Sequence, residues 1–251
     1  MVALPQTPSL RLDGRSALIT GASKGIGLAV ACALAQAGAR VTLMARRPAE
    51  LEGLVEALQA AGLAAEALPL DVTDDQAVRQ VLKGRRFDIL VNNAGTNRPK
   101  PIGDVTHEDY AAVMDLNVRA AYFLTQWVTE HMPSGGSVIN VSSQMGHVGA
   151  VNRSLYCASK SAVEGMTRAM AVELGPRGIR VNTLCPTFIE TPMTKPFFEQ
   201  PGFLDDVLTK IPLGRLGQIE DVMGPVVFLA SPASALVTGS ALMVDGGWTA
   251  H

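Results

Sequence analysis

The turn Thr20-Gly21-Ala22-Ser23-Lys24-Gly25-Ile26-Gly27 joins a short apolar run, residues 16–20, to an Ala-rich helical stretch over 26–37 that Gly38 ends. A strand that passes at once into a helix needs a parallel partner strand beyond that helix, and the next apolar run, 41–45 (VTLMA), supplies one. The alternation continues to the end of the chain. Pro48 opens a helix whose Leu51, Leu54, Val55 and Leu58 recur at i, i+3, i+4 and i+7, and further strands are expected at 64–70, 89–92, 137–141, 180–185 and 241–244. Seven strands with helices between them predict an α/β fold, a doubly wound and mostly parallel sheet covered on both faces. No linker, repeat or low-complexity tract interrupts the pattern, so one domain over 1–251 is expected. Residues 186–202 depart from it, with Pro186, Pro192, Pro196 and Pro201 set around Phe188, Phe197 and Phe198. Such a long, irregular, apolar insertion suits a substrate lid, at about 187–212.

Composition narrows the function. Lys plus Arg total 21 against 23 Asp plus Glu in 251 residues, a formal charge of −2, and no basic run exceeds the pairs Arg46-Arg47 and Arg85-Arg86. Nucleic acid and anionic membranes therefore have no electrostatic foothold. No apolar run approaches the ~18 residues of a membrane span, and residues 1–9 lack the charged start and apolar middle of a signal peptide. Cys32, Cys157 and Cys185 are odd in number and lack CxxC spacing, which fits reduced thiols, so a cytoplasmic address is expected.

The glycine turn reads either as a tight structural turn or as a phosphate cradle. A dinucleotide pyrophosphate needs backbone N–H groups at a helix N-terminus with no Cβ in the way, and a GxxxGxG spacing at a strand-to-helix junction provides both. At the end of the second strand, where such folds place an acid for the adenosine 2′-hydroxyl, stand Ala45-Arg46-Arg47. Arg46, with Lys24, can neutralise a 2′-phosphate, so NADP(H) is preferred with NAD(H) as the alternative; Arg46-Arg47 also reads as a solvated loop pair.

Ser143, Tyr156 and Lys160 carry the spacing S-x12-Y-x3-K, with Tyr156 and Lys160 on one helix face. An adjacent ammonium favours the phenolate and lowers the tyrosine pKa from its usual value near 10. Tyr156 is then the acid/base toward a carbonyl or alcohol oxygen that the Ser143 hydroxyl holds.

With these motifs the chain resembles the short-chain dehydrogenase/reductases from Arg15 to Trp248, with some similarity to the dicarbonyl/L-xylulose reductase branch in 141–144, Leu155-Tyr156-Cys157 and Pro186-Thr187. The resemblance implies a Rossmann fold and hydride transfer by an NAD(P)-dependent oxidoreductase acting on a ketose or polyol, a sugar acid or a small ketone. It assigns Asn117 to a catalytic tetrad with Ser143, Tyr156 and Lys160, anchoring a water relay to Lys160. Gly21, Ser23, Lys24, Gly25, Ile26 and Gly27 would hold phosphates, Arg46 the adenosine end, Asp71 and Val72 the adenine, and Asn93, Ala94 and Gly95 of the NNAG motif the ribose. Pro186, Ile189 and Thr191 would hold the nicotinamide beside Tyr156 and Lys160. Thr187 departs from the Pro-Gly most members carry. A 3-oxoacyl thioester reductase, a dehydratase or epimerase, and a non-catalytic nucleotide-binding regulator are the alternatives.

Substrate contacts are expected from Arg98, Gln144, Met145, Arg153 and Phe197, with Arg98 or Arg153 able to pair with a carboxylate. Cys157, one helical step past Tyr156, reads as a small core residue. His147 has no apparent acid partner and Ser143 sits in no nucleophile elbow, which argues against a serine hydrolase; the histidine spacing supports no catalytic metal. The helix over 116–132 is apolar nearly all round and must be covered on two sides. The family pairs it across subunits, implying a homotetramer, with a dimer second.

Overall fold

The computed structural model describes residues 3–250. Seven strands form one sheet: β1 (Ser16–Thr20), β2 (Arg40–Ala45), β3 (Ala65–Pro69), β4 (Ile89–Asn92), β5 (Ser137–Val141), β6 (Arg180–Pro186) and β7 (Ala241–Val244). Their order is β3-β2-β1-β4-β5-β6-β7, and every adjacent pair is parallel, where the sequence led us to expect a mostly parallel sheet. The order reverses between β1 and β4, where doubly wound sheets open a crevice at the C-terminal strand ends.

Successive strand residues alternate between two cores, which is why the central strands read as largely apolar runs with few polar residues. Ile19, Leu43 and Val91 pack with Val30 and Leu34 of α1 (Gly25–Gln36), Leu51 of α2 (Pro48–Ala60) and Leu229 of the late helix Met223–Ala230. Their neighbours Leu18, Met44 and Leu90 face the other way, toward Val78 of α3 (Asp75–Leu82), Leu124 and Met170.

The helix expected over 116–132 is longer and is interrupted. It begins as α4 (His107–Met114), opened by a capping box in which Thr106 and Asp109 satisfy one another's backbone, passes through a π-turn at Asp115–Arg119, and continues as α5 (Ala120–Glu130). The long helix α6 (Ser154–Leu174) packs beside it and carries Tyr156 and Lys160. Between β6 and β7 the chain is more ordered than its prolines suggest. Two short helices, α7 (Lys195–Phe198) and α8 (Phe203–Thr209), precede α9 (Met223–Ala230). Phe188 lies at the centre of a small aromatic core there, its ring 5.6 Å from Phe203, 6.1 Å from Phe198 and 5.8 Å from Trp248.

Candidate active site

The C-terminal ends of the central strands border a cleft of about 780 Å³. Every residue the sequence assigns to the cofactor lies on its wall, from Gly21 to Thr191. The wall also fits a dinucleotide by its own geometry. No side chain caps α1 and its first turn holds no acid, so its N-terminal N–H groups open toward the cleft. The turn beneath it has no room for side chains. Gly21 takes φ +63°, and a Cβ on Gly27 would lie 2.2 Å from the Gly21 carbonyl oxygen. Asn93 donates from Nδ2 to the carbonyls of Thr20 (2.9 Å) and Gly21 (3.1 Å), so its side chain clamps the turn, while the family resemblance assigned it to the ribose. At the adenosine end, Arg47 pairs with Glu50, whereas Arg46 is exposed and pairs with no acid among the described residues. Asp71 caps its own loop, its Oδ1 accepting from the Thr73 amide (2.9 Å) and hydroxyl (2.7 Å). Near Pro186, the buried hydroxyls of Ser142 and Thr187 have no hydrogen-bond partner among the described residues, two polar groups on the wall of the cleft.

Ser143, Tyr156 and Lys160 converge on the same cleft. Lys160 is buried, its Nζ donating to the Val141 carbonyl (2.8 Å) and lying 5.6 Å from the centre of the Tyr156 ring. Desolvation pushes the Lys160 ammonium down to about 8, opposed by the nearby Cys185 and Glu164. Burial likewise pushes the Tyr156 hydroxyl up to about 12, opposed by the Ser143 hydroxyl and the charge of Arg153. This corrects the sequence expectation that the lysine lowers the tyrosine: in the chain alone burial wins, and Arg153 is the cation opposing it. Tyr156 is therefore a protonated acid at neutral pH.

The Asn117 side chain makes no direct bond to Lys160 among the described residues. Lying within the π-turn, it accepts from the Thr96 amide (2.8 Å) and donates to the Thr96 carbonyl (2.9 Å) and Ser159 Oγ (3.0 Å), tying the fourth strand's exit loop to α6. π-turns recur at functional sites.

Among the expected substrate contacts, Gln144 and Met145 turn inward, with Gln144 Oε1 accepting from Ser143 Oγ (2.7 Å). Arg98 lines the cleft but pairs with Asp109 (3.1 Å), which Lys100 also engages (2.6 Å). Arg153 is buried and stacks on Phe197. Cys157 is a further correction: it is only partly buried, its thiol donating to the Val148 carbonyl (3.6 Å) at the rim of α6.

His147 has an acid partner after all. Glu164, one helical turn past Lys160, brings Oε1 within 3.4 Å of His147 Nε2, and also accepts from the Cys185 thiol (3.2 Å) and the Thr183 hydroxyl (2.9 Å). Burial pushes the Cys185 thiol up to about 12, keeping it a donor to Glu164. A second buried array, Thr125–Asn92–Asn140–Thr167, runs across β4 and β5, with Asn92 and Asn140 side by side in register. The signal for both arrays was there to see: polar residues inside apolar runs, which must find partners when buried.

A family profile described as "Enoyl-(Acyl carrier protein) reductase" matches residues 21–249. The chain is 42% identical over 245 residues to D-erythrulose reductase of Gallus gallus, covering 96% of this chain and 98% of that one. It is 41% identical over 245 residues to L-xylulose reductase of Bos taurus, covering 96% and 99%. Among solved structures, a gluconate 5-dehydrogenase from Burkholderia cenocepacia in complex with NADP and tartrate superposes with a TM-score of 0.92 at 35% identity, over 96% of this chain and 98% of that one. With a profile across nearly its whole length and relatives above 40% identity, the chain belongs to the short-chain dehydrogenase/reductase family and is an NAD(P)-dependent oxidoreductase.

Proposed function

We propose that the protein reduces the carbonyl of a small polyhydroxylated substrate to a secondary alcohol with NADPH, and runs the reverse reaction as pH rises. The observation that carries this is the convergence of Ser143, Tyr156 and Lys160 on a cleft whose far end presents the unpaired Arg46. The reductases of erythrulose and xylulose named above support the substrate class. Bound NADPH supplies the hydride for the carbonyl carbon. Tyr156 delivers the proton to the carbonyl oxygen, the Ser143 hydroxyl holds that oxygen, and Lys160, fixed by Val141, keeps positive charge below the tyrosine. Asn117 holds the loop after β4 against Ser159 of α6, and so positions the floor on which Tyr156 and Lys160 sit. Residues 187–212, with their aromatic cluster, act as the lid in this reading, which also treats 1–251 as one folding unit; Met1, Val2 and His251 lie outside the described residues.

Cofactor choice is tested at Arg46. A 2′-phosphate gains charge-assisted bonds there that a 2′-hydroxyl cannot. Arg46→Asp is expected to lower the NADPH-over-NADH ratio of kcat/KM about 100-fold, the size of losing strong charged hydrogen bonds. An unchanged ratio places the phosphate elsewhere.

The same reading includes a homotetramer built on α5 and α6. Tyr122 is 47% exposed, and its ring, with Phe123 and Trp127, forms an aromatic ladder along α5 with centroids 5.5 and 5.9 Å apart. A face of this kind is ordinarily covered by a partner. Sedimentation equilibrium is expected to return four times the chain mass; a monomer would refute the assembly. Three free cysteines support a reducing compartment, the cytoplasm, and no described helix is long and apolar enough to cross a membrane.

A further inference from the structure

His147, Glu164 and Cys185 come from three different elements and meet behind the cleft, not on its wall. His147 closes the turn after β5, Glu164 stands on α6 one helical turn past Lys160, and Cys185 is the penultimate residue of β6. One oxygen faces both partners. Glu164 Oε1 lies 3.4 Å from His147 Nε2 and 3.2 Å from Cys185 Sγ, and the sulfur and the imidazole nitrogen are 3.8 Å apart. The other oxygen, Oε2, accepts from the Thr183 hydroxyl (2.9 Å), which orients the carboxylate and leaves Oε1 turned to the other two.

Thiolate, imidazole and carboxylate are the ligand types of zinc, at about 2.3, 2.0 and 2.0 Å, and tetrahedral angles between bonds of those lengths set the donor atoms about 3.3 to 3.6 Å apart. The three separations here span that range. The charges also balance. A thiolate and a carboxylate bring two negative charges to the two positive charges of the ion, and a neutral imidazole adds none, so the loaded site is neutral, as burial requires. Sulfur and nitrogen donors disfavour magnesium and calcium. A tetrahedral ion needs a fourth donor, and the hydroxyl of Ser142, 3% exposed and without a hydrogen-bond partner among the described residues, acts on the Cys185 thiol from close by. Gly146 sits between Ser142 and Glu164 with no side chain to fill the space: a Cβ there would meet Ser142 Oγ and Glu164 Cγ at 3.2 Å each. The His147 side chain, 31% exposed, gives the ion its way in from solvent.

We propose that His147, Glu164 and Cys185 form a zinc site, with a water held by the Ser142 hydroxyl in the fourth position. Binding replaces the thiol proton, which leaves to solvent as the zinc–sulfur bond forms, and no oxidation state changes. None of the three ligands lines the cleft, so the ion holds and does not catalyse. It ties together the loop that carries Ser143, the helix that carries Tyr156 and Lys160, and the strand that ends at Pro186.

The test titrates chelator-treated protein with Zn²⁺ in competition with a chromophoric chelator and, separately, loads it with Co²⁺ as a spectroscopic stand-in, for the wild type, His147→Gln, Cys185→Ser and Cys157→Ser. The wild type is expected to bind one ion per chain and to show the intense visible bands of tetrahedral cobalt with a thiolate charge-transfer band. Its melting temperature should rise by about 5 to 10 °C at a zinc concentration about 100 times the dissociation constant. His147→Gln and Cys185→Ser should each weaken binding by more than about 100-fold, beyond the loss of an outer-shell partner, and abolish the melting shift. Cys157→Ser, whose thiol bonds Val148 instead, should change neither. If Cys185→Ser fails to fold, His147→Gln, altered at an exposed position, decides the matter. Absence of saturable binding refutes the site. Binding that survives His147→Gln, an octahedral cobalt spectrum without the sulfur band, or loss in Cys157→Ser places the ion elsewhere and overturns the assignment.

Discussion

Tyr156→Phe is expected to lower kcat for carbonyl reduction about 1000-fold while leaving NADPH affinity unchanged, since general-acid catalysis contributes about 100- to 10000-fold. The ring remains to fill its place and only the proton is lost. Because burial holds the hydroxyl near 12, the tyrosine is an intact acid throughout the neutral range, so reduction by the wild type should hold steady from about pH 6 to 7 and fall as the pH passes about 8, where Lys160 loses its supporting charge. Alcohol oxidation needs the phenolate, whose fraction grows about tenfold per pH unit below the pKa, so the oxidative rate should climb with pH. The direction follows from the sign of the shift: raising an acid's pKa populates its protonated form, which favours reduction and handicaps oxidation. Initial rates in both directions across pH 6 to 10 check it. Undiminished turnover by Tyr156→Phe would remove the tyrosine from the chemistry.

Gly27→Ala is expected to abolish NADPH binding at concentrations that saturate the wild type and to destabilise the fold by about 1 to 3 kcal/mol, the range of overpacked sites. The added Cβ would meet the Gly21 carbonyl oxygen at 2.2 Å and Asn93 Nδ2 at 2.5 Å. The first is backbone and cannot rotate away. Relief requires α1 to lift from the turn that its N-terminus completes, so binding and stability fall together. Gly53→Ala is the matched control. That glycine lies on the exposed face of α2 with nothing within 4 Å of a Cβ, and the same substitution there should stabilise by about 0.5 to 1 kcal/mol. Urea melts and cofactor fluorescence titrations of both variants separate steric exclusion from a general intolerance of alanine.

The parts legible in the sequence are those written in consecutive residues. All seven strands lie within two residues of their expected bounds, because each is a short, largely apolar run flanked by turn residues, and β1, β4, β5 and β6 are buried along their whole length. The glycine turn and the Tyr156–Lys160 spacing are equally local. What escaped depends on register between segments far apart in the chain. Glu164 meets His147 only because α6 crosses over the loop after β5, and Arg98 loses its freedom only because the capping carboxylate of Asp109 comes to lie beside it. Gln144 and Met145 sit in a loop that sequence alone marks as open, yet Ser143 Oγ draws Gln144 inward. The tyrosine's acidity was misjudged for a related reason. Its neighbour at i+4 could be counted from the sequence, but the depth of burial could not, and burial dominates.

The π-turn at Asp115–Arg119 makes chain length itself a guarded quantity. A turn closed at i+5 holds one residue more than an α-turn, so α4 and α5 are phased about 100° apart relative to an uninterrupted helix. Deleting Asp115 or Arg119 from the turn would let the two helices fuse into a regular one, with better backbone geometry and an altered rotation. Asn117 would lose its place against Thr96 and Ser159, although its own identity was unchanged. At this point in the molecule an evolving sequence is freer to change letters than to lose one, and a gap in a related sequence across these five positions would mark loss of the site sooner than most substitutions.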